Sequence, residues 1–261
     1  MKRFKMIGLC LMFLMIFGGA FVFADAEVFT LDDARDIINV KYPTESYENF
    51  KVVIKKESTQ YVYNLFDGDE TFPLQMGSGD YLVGLYQRTE GNKYRALMTQ
   101  TFTAEVDPFV VHKQSVQNMN WTLESKAVQY ALSIAKQKKT DKEKFDVLYN
   151  FMIKSFVYDY KKASSVGTRY VPVIDITYKE RKGICYDYSS LFASMLRSLN
   201  IPARLAEGKS TFTSVYHAWN EVYINGKWIS IDTTIDAQLL ARKIKYTIEK
   251  TSKDYVVAKI F

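Results

Sequence analysis

The stretch GICYDYSSLFASMLRSLNIPAR, residues 183–204, decides how this chain is read. After Gly183 the apolar residues Leu191, Phe192, Met195, Leu196 and Leu199 recur at helical spacing, and Asn200 and Pro202 mark the stop. Extended backwards, that helix begins near Cys185. A helix N-terminus carries free backbone N–H groups and the positive end of the macrodipole, and both favour a thiolate over a thiol. Cysteines so placed are the reactive ones when a cationic partner stands nearby. A buried, inert cysteine packing as a small apolar residue is the alternative that Cys185, taken alone, leaves open.

A second stretch bears on that choice. In VYHAWNEVYINGKWISIDTT, residues 215–234, the Asn225-Gly226 pair between alternating runs is the strongest short-range hairpin signal. A two-residue turn there pairs Ile224 with Lys227, Tyr223 with Trp228, Glu221 with Ser230 and Trp219 with Asp232. Cross-strand partners share a face, as do alternate residues along a strand. His217, Trp219, Ser230 and Asp232 therefore lie on one face, with Asp232 a diagonal neighbour of His217 at roughly 7–8 Å between backbones. A carboxylate accepting from one imidazole nitrogen fixes the tautomer and leaves the other nitrogen for a thiol. Singly, His217 reads as a half-buried strand histidine and Asp232 as a strand-end carboxylate. Together with Cys185 they supply a nucleophile, a base and a group to orient the base.

At these residues the chain resembles the transglutaminase-like superfamily, a branch of the papain-like Cys-His-Asp fold. The motifs are the two stretches above and, more weakly, YNFMIKSFVYDY at 149–160, and the resemblance covers residues 122–236. It implies an α+β core of helices packed on an antiparallel sheet. It also implies Cys185 as nucleophile, His217 as general base and Asp232 as its orienter. The Cys185 backbone N–H would form part of an oxyanion hole, and Tyr158 is the candidate for the second donor. Trp219 and Trp228 are the candidates for the wall of the substrate site. Active members of the family attack a carboxamide with a thiolate to give a thioester, and differ in whether water or an amine accepts the acyl group. The family also holds proteins that keep the fold without catalysis, so a surface binding or adhesion module is the alternative. Only Phe212 and Tyr216 add aromatic surface in the segment before the histidine strand. That thin wall points to hydrolysis of a protein or peptide amide over cross-linking.

No cofactor and no metal are expected. Outside the N-terminal apolar run, Cys185 and two histidines without paired ligand spacing do not make a zinc site, and no clustered acidic loop argues for calcium. His112, in FVVHKQ, reads as an ordinary residue of a linker.

Outward from the core, the first 26 residues show a basic start (Lys2, Arg3, Lys5), a long apolar run and Ala24-Asp25-Ala26. This is the pattern of a secretory signal peptide with an A-x-A cleavage site. An uncleaved membrane anchor is the alternative and the only membrane contact expected. Cys10 sits inside the apolar run, which argues against a lipoprotein, and its removal leaves Cys185 as the one thiol. The expected location is therefore extracytoplasmic, secreted or at the cell envelope, where an unpaired thiol is a liability unless it has a use.

Residues 27–115 read as a small β-rich region of unknown role. Residues 29–41 are expected as a short helix capped by Thr30, and the alternating runs between about 50 and 110 as antiparallel strands. Residues 116–261 then form the transglutaminase-like domain. Within it a helix carries a stripe of Leu123, Ala127, Val128, Ala131, Leu132 and Ala135. A second, entered through a Thr140/Glu143 capping box, carries Phe145, Leu148, Met152 and Phe156. A polar loop with Gly167 and Pro172 follows. Hydrophobic residues make up 48% of the chain, which excludes a disordered protein, and the formal charge of +6 comes with no Arg-rich block or nucleic-acid motif.

Overall fold

The computed structural model describes residues 27–261. The expected leader, with Cys10, lies outside the described residues. The chain is α+β. Its strands are β1 (Phe29–Asp32), β2 (Ile37–Lys41), β3 (Phe50–Lys56), β4 (Thr59–Asn64), β5 (Asp69–Pro73), β6 (Gly79–Glu90) and β7 (Lys93–Ala104). A short helix α1 (Pro108–Val111) leads to α2 (Lys126–Ala135) and α3 (Asp141–Ser155). Then come β8 (Val157–Tyr158), α4 (Tyr160–Ser165), α5 (Ile174–Glu180), β9 (Lys182–Gly183) and α6 (Cys185–Ser198). The rest is β10 (Ala203–Ser210), β11 (Thr213–Ile224), β12 (Lys227–Ile231), α7 (Thr233–Ala241), β13 (Glu249–Lys250) and β14 (Tyr255–Ile260). The sheets run β1-β2-β5, β4-β3-β6-β7 and β13-β12-β11-β10-β14, all antiparallel, while β8 and β9 pair in parallel. Among the described residues no helix is long and apolar enough to cross a membrane.

Helix α6 is the axis of the site-bearing half. Every residue from Asp187 to Arg197 is buried, the polar Asp187, Ser190 and Arg197 included, each of which has a hydrogen-bond partner. Helices α2, α3 and α5 cover one side and β10–β11 the other. Phe192 meets Phe145 edge-on at 5.8 Å, and burying a side chain of that size stabilises by about 2–3 kcal/mol. Asn220, wholly buried in β11, donates to the Ser189 carbonyl at 2.9 Å and the Arg204 carbonyl at 3.1 Å, which fixes the sheet against the helix. Buried Arg197 donates to the carbonyls of Ala203, Gln114 and Phe261. Burial lowers its pKa to about 9, so it remains a cation at neutral pH.

The first residues depart from expectation. Residues 29–41 form the β1–β2 hairpin and no helix. Asp32 accepts from the Arg35 backbone and guanidinium, and Asp36 takes the left-handed turn at φ 55°, a conformation Asp tolerates. Ile37, Ile38 and Val40 are then fully buried, because β2 is the middle strand of its sheet. Strand pairing overrides the weak local helix signal of LDDARD. In α2, Ala127, Val128, Ala131 and Ala135 are buried, but Leu123 precedes the helix and is exposed, as is Leu132. The α3 capping box forms as read, with Glu143 N–H on Thr140 at 3.2 Å and the return bond at 3.1 Å. The polar loop contains two short helices, α4 and α5. The first is capped by Asp159, and the second ends at Arg181 with φ 54°.

One cluster of buried apolar residues runs from Phe29 to Phe261 and joins the N-terminal strands to the rest. Phe261 packs on Tyr61 and Tyr63 at 5.4 and 6.1 Å. Arg169 donates to the carbonyls of Glu48 and Leu65 and to Asn64, and lies 5.0 Å over Phe66. His112 is no exposed linker residue. It is buried beneath Trp228, and its carbonyl accepts from Ala203. Burial first, then the charges of Arg197 and Arg204, push its imidazole well below the usual range.

Candidate active site

Cys185 is the first residue of α6 and is half-buried, with Ile184 as N-cap. The parallel ribbon β8–β9 runs directly into it and sets Tyr158 opposite Gly183. Bonds from Val157 N–H to the Arg181 carbonyl (3.0 Å) and from Asp159 N–H to the Gly183 carbonyl (2.8 Å) hold the ribbon. The Arg181 guanidinium anchors it from behind, stacked over Tyr178 at 4.1 Å and Phe151 at 4.6 Å. The ribbon thus carries the nucleophile candidate and Tyr158 on one rigid piece.

His217 comes from β11. The hairpin has the register read from the sequence, with Ile224 opposite Lys227, Tyr223 opposite Trp228 and Glu221 opposite Ser230. Asn225 and Gly226 both take positive φ, as a type I′ turn requires. The expected Trp219–Asp232 pair does not form, because the ladder ends at Asn220–Ile231. Asp232 instead turns out of the strand to cap α7, accepting from Ile235 N–H at 3.0 Å through Oδ1. Its Oδ2 faces His217 Nε2 at 2.6 Å and accepts from the Tyr255 hydroxyl at 2.8 Å. The carboxylate is fully buried with each oxygen occupied, so it cannot swing away from the ring.

Burial alone would lower the His217 pKa. The hydrogen bonds and charges of Asp232 and Cys185 outweigh it and raise the value to about 10. With Nε2 on Asp232, Nδ1 is the nitrogen left for the Cys185 sulfur. A proton placed there makes the imidazolium partner of a thiolate. Tyr158 is half-buried beside the thiol. Burial first, then the negative charge at Cys185, raises its phenol to about 12, so the hydroxyl keeps its proton as a donor.

The two tryptophans do not do what the sequence suggested. Trp219 is buried, its ring 6.3 Å from that of His217 and nearly parallel, with Tyr255 behind it at 4.8 Å. It supports the imidazole from within the core. Trp228 pairs with Tyr223 near the turn, roughly 20 Å along the strand from His217. There it packs with Phe109, His112 and the Arg204 guanidinium, 3.8 Å from its ring. The reason is register: β11 is long, and sharing a face does not mean sharing a site. Asp236, the other carboxylate near this motif, serves Tyr149 (2.8 Å) and Lys250 and not His217. Burial lifts it to about 6 against the pull of that lysine.

Three contributors carried no clear sequence signal: Tyr255 on a distant strand, Lys162, and Tyr170. Asp187 carried only the general preference for an acidic residue in a helix's first turn, and its carboxylate accepts from Ile184 N–H at 2.8 Å. Among the described residues no cluster of side chains is suited to a metal ion.

The family model of the transglutaminase-like superfamily matches residues 128–233. No curated protein matches the sequence. Similar solved structures include a candidate cysteine protease from Cytophaga hutchinsonii, at 18% identity over 71% of this chain and 72% of that one, with a TM-score of 0.44. The periplasmic domain of TgpA from Pseudomonas aeruginosa matches at 13% identity over 78% and 91%, with a TM-score of 0.39. Red sea bream transglutaminase matches at 9% identity over 76% of this chain and 47% of its own, with a TM-score of 0.34. The segment that holds Cys185, His217 and Asp232 belongs to the transglutaminase-like superfamily.

Proposed function

We propose that the protein is an extracytoplasmic cysteine acyl-transfer enzyme that opens protein or peptide amides through a thioester at Cys185. The observation that carries this is the placement of a half-buried thiol at a helix start together with His217, whose ring is held 2.6 Å from a fully buried carboxylate. The Cys185 thiolate attacks the amide carbon. The carbonyl oxygen takes the charge and is met by the Cys185 backbone N–H and the Tyr158 hydroxyl. The C–N bond breaks as the His217 imidazolium gives its proton to the leaving nitrogen, which leaves a thioester and a neutral imidazole. His217 then removes a proton from the incoming water or amine, the acyl group moves to it, and the thiolate is expelled.

Water is the favoured acceptor. Excluding it needs aromatic walls around the thioester. Trp219 lies inside the core, Trp228 lies near the hairpin turn, and Cys185 is half-exposed. The extracytoplasmic location rests on the leader pattern of residues 1–26.

The test offers a cell-envelope protein extract with a labelled primary amine, and follows label uptake beside released ammonia and new peptide termini. Cleavage or ammonia release that exceeds labelling and vanishes in Cys185→Ala supports the hydrolase. Heavy Cys185-dependent labelling without cleavage makes it a transamidase. An unreactive thiol in the native protein leaves a binding module.

A further inference from the structure

Asp187 sits in the first turn of α6, two residues from Cys185, and is completely buried. A buried carboxylate is costly unless paired, and a negative charge beside a thiolate works against it. Its partner comes from outside the helix. Lys162 on α4 reaches across with its ammonium 2.7 Å from Asp187 Oδ2, while the Tyr170 hydroxyl donates to Oδ1. The same ammonium lies 4.4 Å over the Tyr170 ring and donates to its hydroxyl oxygen. The Asp187 carboxylate in turn holds Ile184 N–H, the peptide that leads into Cys185. It also sits so close to Gly183 that a Cβ there would come within 2.6 Å of the Asp187 Cβ.

We propose that Lys162 is a positioning residue for the thiol: it cancels the Asp187 charge beneath Cys185 and locks the 183–185 turn through that carboxylate. This rests on the reading of Cys185 as nucleophile. Lys162 touches no reacting atom, and its ammonium is about a quarter exposed at the foot of α4. The other groups facing this turn are His217 from β11, Tyr158 from β8, Tyr186 from α6 and Tyr170 from the loop before α5. None of the tyrosines carries a charge at neutral pH, and burial raises Tyr158, Tyr170 and Tyr186 further. The Asp159–Lys182 pair on the ribbon, at 3.3 Å, is neutral as a pair. Lys162 is therefore the cation that balances Asp187.

The experiment measures alkylation of Cys185 by iodoacetamide between pH 5 and 10. In Lys162→Met, and in the milder Lys162→Gln, the rate at pH 6 should fall about tenfold while the rate at pH 10 stays native. Lys162→Arg should restore the native profile. The double variant K162M/D187N should restore it as well, because no charge then remains to be cancelled. Native profiles in folded Met and Gln variants would overturn the proposal. So would a K162M defect that the double variant leaves unrepaired, since that would mark Lys162 as packing only. If the native enzyme itself shows no reactivity below pH 7, the nucleophile reading fails, and that result is visible before any variant is made.

Discussion

At the scale of single residues, charge decides what the site can do. Asp232 has two duties, the N-cap of α7 and the hold on His217. Asn caps a helix as well as Asp does. Asp232→Asn should therefore fold with a near-native melting curve yet lose roughly a thousandfold or more in turnover, because the amide admits the wrong imidazole tautomer. Unchanged turnover would show that another group orients the ring. The two histidines should titrate far apart in an NMR experiment on their ring protons. His217, raised to about 10, keeps its proton through neutrality, whereas buried His112 resists protonation until well below 6.5. Cys185→Ala removes one of the two partners that raise His217, so its midpoint should fall. The sign carries over to rate. On the proposed mechanism the imidazolium gives its proton to the leaving nitrogen, so activity should decline as pH rises through about 10. A His217 midpoint near 6.5 in the native protein would remove the basis for that limb. The three residues at the centre were legible because each came with a local pattern: a helix start, an alternating strand and an Asn-Gly turn. Tyr255 and Lys162 were not, because they arrive from segments whose own sequence says nothing about where they dock.

At the scale of elements, two glycines set the sheet that presents His217. Gly226 supplies φ 79° at the hairpin turn. Gly208, directly opposite His217, lets β14 approach, since a Cβ there would meet the Val256 carbonyl oxygen at 2.0 Å. Gly208→Ala must push β14 outward and so loosen Tyr255 from Asp232. It should cost about 1–3 kcal/mol in urea unfolding, with a loss of alkylation rate at pH 6. Gly226→Ala strains the turn but touches no group near His217, so it should lower stability by about 1–2 kcal/mol and leave the alkylation profile intact. A Gly208→Ala protein with native reactivity would show that β14 plays no part in orienting the imidazole. Element reading succeeded where periodicity was long, as in α6 and the β11–β12 hairpin. It failed at residues 29–41, where three buried β-branched residues, Ile37, Ile38 and Val40, follow a helix-like acidic turn and the deciding partner, β5, lies far along the chain.

At the scale of the whole molecule, the N-terminal strands share one core with the transglutaminase-like segment. Arg169 spends its donors on Glu48, Asn64 and Leu65 across that junction. Arg169→Ala should cost about 1–3 kcal/mol, because it leaves the carbonyl of buried Leu65 without its donor. Residues 27–261 should unfold in one transition by both tryptophan fluorescence and far-ultraviolet dichroism. Two separated transitions would mean that the N-terminal strands fold as their own unit. Composition hinted at this region as strands, but nothing in the sequence announced that Tyr61 and Tyr63 would be covered by Phe261.

The bond from Tyr255 to Asp232 also has a consequence for timing. A ribosome delivers Cys185 well before it delivers β14, and a chain threaded through a narrow export channel passes in the same order. Until the last strand closes the sheet, the carboxylate lacks one of its donors and the imidazole lacks the wall that Tyr255 gives to Trp219. On the proposed reading, the nascent polypeptide travels with an ordinary thiol and is armed only once β14 has joined the sheet, so it spares the synthetic and export machinery that it passes.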